Sequence, residues 1–265
     1  MEWYAAYLVL GTFVGFFAGL FGIGGGLVLV PVLSWLFEAQ HLGGAQNLHL
    51  ALGTSMAAIL YTAAASAYTH HTHGAVNMHI VRNTAPGMLL GALFGALLAG
   101  SISWLYLSIF FALFVYVVAI QMLLEFRPKA TRKLPGRVGL ILVGGGIGTV
   151  SSLVSIGGGT LSVPFMLWHN IPLRQAIGTS AALGFPIALG GTVGYITTGL
   201  ALHTLPAATL GFVYLPALFM VALGSAFTTP LGARAAHRLP LQLLRRSFAV
   251  LLLVLATKML LKVLN

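Results

Sequence analysis

The chain has no cysteine, and of its 265 residues only Glu2, Glu38 and Glu125 are acidic. Without thiols, disulfides, thiolate metal sites, lipidation on sulfur and persulfide chemistry are excluded, and the redox compartment stays undecided. Charged residues amount to 6%, against roughly a quarter in soluble domains, while hydrophobic residues reach 58%. With a mean hydropathy of +0.99, the composition is that of an integral membrane protein. The formal charge is +10. A nucleic-acid partner would need those bases clustered on a solvated face, whereas they sit at the ends of apolar blocks. Neither glycine-rich string is followed by Lys-Ser/Thr, and no His-Glu metalloprotease pair or hydrolase elbow occurs, so an ATP-driven pump or a protease is not supported. Met1-Glu2-Trp3-Tyr4 carries no basic n-region or cleavage site, and the first segment is expected to be a retained helix.

What the chain does have is long, unalternating runs of Leu, Val, Ala and Gly, the pattern of membrane helices and not of barrel strands. Apolar blocks fall at 4–37, 48–68, 84–99, 104–124, 138–168, 176–198, 206–231 and 243–264. The first and fifth are too long for one crossing. Each is interrupted by the same string, Ile23-Gly24-Gly25-Gly26 and Ile156-Gly157-Gly158-Gly159, where three consecutive glycines break a helix.

The interruption belongs to an internal repeat. Adding 133 maps Gly15 onto Gly148, Ile23 onto Ile156, Pro31 onto Pro164 and Trp35 onto Trp168. Adding 125 maps Ala51, Gly53, Thr54 and Ser55 onto Ala176, Gly178, Thr179 and Ser180, the difference being a longer connection at 38–47 in the first half. Met122-Leu123-Leu124 matches Met259-Leu260-Leu261. The expected organisation is therefore a first repeat at 1–126, a basic linker at 127–137 and a second repeat at 138–265, each repeat a broken segment plus three helices.

Cytoplasmic loops carry the Lys and Arg excess. Arg127, Lys129, Arg132, Lys133 and Arg137 mark the central connection as cytoplasmic, as do Arg234, Arg238, Arg245 and Arg246 the one before the last helix. Four single crossings per half would put these two loops on opposite sides. If each broken segment instead folds back at its glycines, both become cytoplasmic, Arg82 and Arg174 join them, and the connections at Ser101 and His203 lie outside with both termini. The expected fold is an all-α bundle of two inverted-topology repeats built around glycine-tipped hairpins.

In lipid, broken backbone is tolerated only inside protein or along a watery cavity. Paired breaks therefore point to a binding site near the midplane, with Gly24, Gly25, Gly26, Gly157, Gly158 and Gly159 offering N–H groups and positive helix ends to an anion. The plainer reading is that such glycines only let helices pack or hinge; two triplets in matched positions favour the site. Thr54, Ser55, Thr179 and Ser180 follow glycine near the starts of matched helices. Their hydroxyls either complete an oxyanion shell or bond back to their own helices. Tyr61, Tyr68, Thr192 and Tyr195 are weaker candidates, and Trp3, Trp35, Trp104 and Trp168 fit an interfacial belt.

No acid falls in the middle of a block, where a cation pathway or carboxylate proton relay would need one, so the substrate is expected to be anionic or neutral. Lys258 and Lys262 are expected to snorkel outward, with Lys258 able to supply buried charge instead; Arg174 reads as a topology determinant, the alternative being that it draws anions to the cytoplasmic mouth. His70, His71, His73 and His79 offer imidazoles but no accompanying acid or thiol, and are read as a solvated cytoplasmic connection, not a metal site. No cofactor or metal is expected.

The strings Gly15-Phe-Phe-Ala-Gly-Leu-Phe-Gly-Ile-Gly-Gly-Gly-Leu-Val-Leu-Val-Pro31 and Gly148-Thr-Val-Ser-Ser-Leu-Val-Ser-Ile-Gly-Gly-Gly-Thr-Leu-Ser-Val-Pro164, with Gly53-Thr-Ser55 and Gly178-Thr-Ser180, resemble the sulfite exporter TauE/SafE family over nearly the whole chain. The resemblance implies a secondary transporter of the bacterial inner membrane handling small sulfur-containing anions such as sulfite, sulfoacetate or related organosulfonates. Its partners would be that anion and the bilayer; the coupling ion and any homo-oligomer stay open. An intramembrane metal-dependent enzyme using the histidines, and an anion channel, are the alternatives.

Overall fold

The computed structural model describes residues 2–124, 133–202, 205–236 and 241–264. Glu125, Arg127, Lys129, Arg132, His203 and Arg238, named above, lie outside the described residues. Within them the chain forms α1 (Glu2–Phe21), α2 (Gly26–Ala39), a 3-10 turn at Gly44–Gln46, α3 (Asn47–Thr72), α4 (Met78–Ser101), α5 (Trp104–Leu123), α6 (Arg137–Leu153), α7 (Gly159–Trp168) and α8 (Leu173–Leu200). A two-residue hairpin follows, β1 (Thr209–Leu210) and β2 (Val213–Tyr214), then α9 (Leu215–Ala235) and α10 (Leu241–Leu264). The hairpin corrects the apolar block expected to begin at residue 206. Left-handed backbone at Ala208 and Gly211 interrupts any helix there, and α9 starts only at Leu215, with Pro216 in its first turn.

Among the described residues six helical stretches are long and apolar enough to cross a membrane: α1, Gly44–Thr72, α4, α5, α8 and α9. The protein is thus a helical, multi-pass membrane protein. Large apolar side chains such as Leu90, Phe94, Val117, Leu142 and Phe227 project outward, as they must where the solvent is lipid. At 1.5 Å per residue the 14 residues of α2 rise about 21 Å and the 10 of α7 about 15 Å, short of a hydrocarbon layer roughly 30 Å thick.

These short helices turn back. Gln40, which caps the end of α2, donates from Nε2 to the Tyr7 hydroxyl near the start of α1. The rings of Tyr7 and Phe37 meet edge-on, 6.2 Å between centroids, so α2 runs back along α1. In the second half Leu134, just ahead of α6, packs into the same apolar cluster as Met166 near the end of α7, the same reversal.

Each hairpin packs on a helix of the other half. Gly11, Gly15 and Gly19 lay one face of α1 against the backbone at Val221, Ser225 and Thr229 of α9, while Gly224 and Gly232 receive Leu8 and Phe16 in return. In the same way Gly87, Gly91 and Gly95 of α4 meet Ile141, Gly145 and Thr149 of α6. Glycine every fourth residue lets two helix backbones approach closely, which in lipid replaces the hydrophobic drive with van der Waals packing. Both pairs run parallel, since contact numbers rise together. Helices α3 and α8 pack on each other and are the most buried of the long ones, and α10 lies along α5.

A Cβ at Gly15 would come within 2.6 Å of the Ser225 Cα, a contact between backbones that cannot swing aside. Gly15→Leu is therefore expected to destabilise the protein by about 1–3 kcal/mol or more, read as a fall in unfolding midpoint in detergent. A solvent-facing change such as Gly44→Ala, which meets no atom within 4 Å, should cost less, confined to the left-handed backbone there.

Candidate functional site

The two breaks meet. Gly157 donates its N–H to the Ile23 carbonyl at 2.9 Å, and the α-carbons of Gly24 and Gly157 lie back to back. A Cβ on Gly26 would strike the Ser155 carbonyl, and one on Gly159 the Gly22 carbonyl. Those contacts are reciprocal, because the shift of 133 carries Gly26 to Gly159 and Gly22 to Ser155. Gly25 and Gly158 are the N-caps of α2 and α7, both left-handed at φ 84° and 82°, conformations that a side chain makes costly. Their carbonyls accept from Val28 and Leu29, and from Leu161 and Ser162.

The Gly-Thr-Ser strings lie on α3 and α8, buried beside these tips. Thr54 donates its hydroxyl to the Leu50 carbonyl at 2.7 Å and accepts the N–H of Tyr214 at 2.9 Å. Thr179 accepts the N–H of Asn77 at 2.9 Å. Tyr214 and Asn77 are the N-caps of α9 and α4, so each threonine fastens the start of a helix from the opposite half. Ser180 donates to its own helix at Ile177 O, 2.8 Å. The Ser55 hydroxyl is buried without a partner. Of the two readings of these hydroxyls, back-bonding describes Thr54 and Ser180.

The last turn leading into each break is held from the side. His70 Nε2 lies 3.3 Å from the Gly19 carbonyl, and the Tyr195 hydroxyl donates to the Ser152 carbonyl at 3.0 Å. The shifts of 133 and 125 pair Gly19 with Ser152 and His70 with Tyr195. These bonds serve carbonyls at a helix end, which lack intrahelical donors. His70 thus corrects the reading of a solvated histidine segment: α3 runs on to Thr72, and His70 is fully buried while His71 and His73 are exposed. Among the described residues no three His, Asp or Glu side chains gather as a metal would require. Tyr61 and Tyr68 are exposed, Thr192 is buried, and Arg174 is exposed in the first turn of α8. Lys258 lies over the Trp35 ring, 5.0 Å from its centroid, and Lys262 pairs with Glu38 at 2.7 Å.

Spaces open at the tips and toward the far ends of α2 and α7. At the crossing of the tips a cavity of about 10 Å³ is lined by Gly22, Gly24, Thr62, Ser66, Gly157 and Gly184, room for a single water. On one side a vestibule of about 400 Å³ reaches Ile23, Gly159 and Thr160, with Gln121, Asn170 and Arg245 in its wall. On the other, a vestibule of about 430 Å³ stops at Pro31 and Leu48, under Trp35, Trp104, Glu38 and Lys262. Sequence reasoning passed over Thr62 and Ser66, whose signal was their spacing of one helical turn on the face of α3 that carries Ser55 and Ile59.

The sequence profile of the sulfite exporter TauE/SafE family matches residues 7–259. A probable membrane transporter protein of Haemophilus influenzae is 37% identical over 260 residues, 96% of this chain and 97% of its own length. Another from Methanocaldococcus jannaschii is 25% identical over 256 residues, covering 96% and 94%. One from Bacillus subtilis is 28% identical over 193 residues, covering 70% and 76%. No solved structure gives a significant match.

Replacing either fastening threonine with valine keeps shape and removes the acceptor of a backbone N–H. Thr54→Val and Thr179→Val are expected to cost about 1–3 kcal/mol each, and Ser180→Ala, whose hydroxyl serves only its own helix, less than either. Unfolding of the purified variants in detergent measures the difference, and equal costs for all three would refute the fastening role.

Proposed function

The chain belongs to the sulfite exporter TauE/SafE family, and from that membership we propose that it is a secondary transporter of small anions, sulfite or organosulfonates such as sulfoacetate, working by alternating access. The observation that carries the reading is the crossing of two broken-helix tips, with a vestibule on either side of it. Transporter architecture places substrates between such broken helices, near the midplane.

The halves 1–126 and 138–265 act as inverted repeats. Supporting this are the fold-back of α2 on α1 and the reciprocal contacts at the tips, at the two threonines and along the glycine-lined pairs α1–α9 and α4–α6. By the distribution of Arg82, Arg137, Arg174, Arg234, Arg245 and Arg246, the vestibule beside Arg245 faces the cytoplasm and the one beside Lys262 faces outward, with both termini external in a bacterial inner membrane. The conformation described is closed at its centre and reached from the cytoplasmic side.

The anion docks at the tips, drawn by the first-turn N–H groups and dipoles of α2 and α7, around Gly24, Gly25, Gly26, Gly157, Gly158 and Gly159, with the hydroxyls of Thr54, Ser55, Thr179 and Ser180 behind them. For a polyatomic anion to enter, the tips must part. One hydrogen bond between them, Gly157 to Ile23, and side-chain-free contacts elsewhere make that separation inexpensive. No covalent chemistry on the anion is involved.

Reconstitution of the protein in liposomes with labelled sulfite, competed by sulfoacetate, taurine, sulfate, acetate and chloride with and without a pH gradient, tests the reading. Saturable uptake blocked by one sulfonated anion is the expected result. Gly25→Leu and Gly158→Leu should abolish it while membrane insertion persists, as read by fractionation. Uptake retained by both variants would sink the tip model, and no uptake of any anion by the wild type would sink the substrate class.

A further inference from the structure

The backbones of the two hairpins match, but their side chains do not. The shift of 133 sets Ala18, Gly22, Leu27 and Leu29 of the first against Ser151, Ser155, Thr160 and Ser162 of the second. At these four positions hydroxyls stand on one hairpin where the other has none; Thr149 and Ser152, set against Phe16 and Gly19, donate to backbone carbonyls. The Ser155 hydroxyl is used, donating to the Leu52 carbonyl at 2.8 Å. Those of Ser151, Thr160 and Ser162 are not: their side chains are 1%, 8% and 1% exposed, and none of the three oxygens has a hydrogen-bond partner.

Two of them stand beside the second tip, and the third, Thr160, lies on the other face of α7. The point a Cβ on Gly158 would occupy lies 2.5 Å from Ile187 Cδ1, 3.5 Å from Ser162 Oγ and 3.9 Å from Ser151 Oγ. At the matching point on Gly25 the side-chain neighbours are carbons, Val14 Cγ1 and Ala18 Cβ, with the Val14 carbonyl oxygen at 3.5 Å. Thr160 sits in the first turn of α7 and lines the 400 Å³ vestibule together with Gly159 and Arg245. A buried hydroxyl without a partner is destabilising, so two beside one helix N-terminus call for a ligand.

Building on the transport reading, we propose that the second hairpin alone holds the substrate: Ser151 and Ser162 form an oxyanion subsite at the N-terminus of α7, approached from the vestibule past Thr160. The ligand class is a small monoanion with several oxygens on one centre. Hydroxyls suit it because they donate to the anion and, by rotating, accept from a protonated oxygen of the same group. Arg245 at the vestibule wall attracts the anion, and Thr160 is the first hydroxyl it meets.

The test uses the full-length protein in detergent and in liposomes, with sodium sulfite and sulfoacetate as probes. Ser151→Ala/Ser162→Ala and Thr160→Val are compared with the wild type for the KM of uptake, for Tm without ligand and for the rise in Tm with it. The double variant is expected to raise KM about tenfold or more, the worth of one to two hydrogen bonds to a charged group. Its Tm without ligand should stay level or rise, since unpaired hydroxyls leave the interior, and the anion-induced rise should vanish. Thr160→Val should raise KM less.

Wild-type uptake with KM unchanged in both variants overturns the assignment alone, as does a lowered Tm without ligand at unchanged KM, the mark of hydroxyls that only hold the fold. A wild type neither taking up nor stabilised by either anion overturns the transport reading and this assignment together.

Discussion

A helix that breaks inside a bilayer leaves N–H and C=O groups where no water can reach them, and the structure is arranged around that cost. This chain breaks twice, at Gly22–Gly25 and at Val154–Gly158, and buries each break against the other. Gly157 finds the Ile23 carbonyl, His70 reaches Gly19, and Tyr195 reaches Ser152. The helices that present these partners, α3 and α8, are accordingly the most buried, and α4 and α9 serve as the rails along which α6 and α1 bring the breaks to the centre.

Much of that arrangement was legible in the sequence, because its strongest determinants are local. Three glycines in a row cannot continue a helix, and their recurrence 133 residues later announces two breaks of one kind. The count of basic loops then led to the expectation of fold-back, and Gln40 at the end of α2 stands beside Tyr7 of α1. Other features were hidden for physical reasons. Hydropathy measures how apolar a segment is, not which helix it touches, so nothing revealed that α1 packs on α9 and α6 on α4. The hairpin at Thr209–Tyr214 carries the same apolar residues as a helix and is set by left-handed backbone at two positions. His70 sits in a run of polar residues, yet the carbonyl it serves is 51 positions earlier. At the candidate site, residue type alone could not divide a ligand-binding hydroxyl from a bonded one. Thr54 and Ser162 look alike until the Tyr214 N–H is seen on the first and nothing on the second.

A carrier needs two conformations close in energy, since a substrate can shift their balance only by its differential affinity. Reciprocal backbone contacts provide such a near balance in the proposed inverted repeat: whatever the second half does to the first can be done in reverse. The remaining bias falls to side chains that differ between halves, among them His70 against Tyr195, His49 against Arg174 and Leu27 against Thr160. The exposed pair between Glu38 and Lys262 is a weak contributor, because solvated ion pairs are worth little. Packing of α2 against α10 and the bonds of Asn47 to Ser34 hold that side more firmly.

The same division explains how a symmetric frame can serve a substrate that has none. An anion lying on a twofold axis would have to meet two equal walls, and a small sulfur oxyanion with an organic tail presents unequal ends. In the proposed site the hydroxyls beside Gly158 would supply that inequality without disturbing the glycine crossing, because Ala18 and Ser151, or Leu29 and Ser162, differ at the side chain and leave the backbone path alone. Motion is thereby assigned to the backbone, where the halves agree, and recognition to the side chains, where they part.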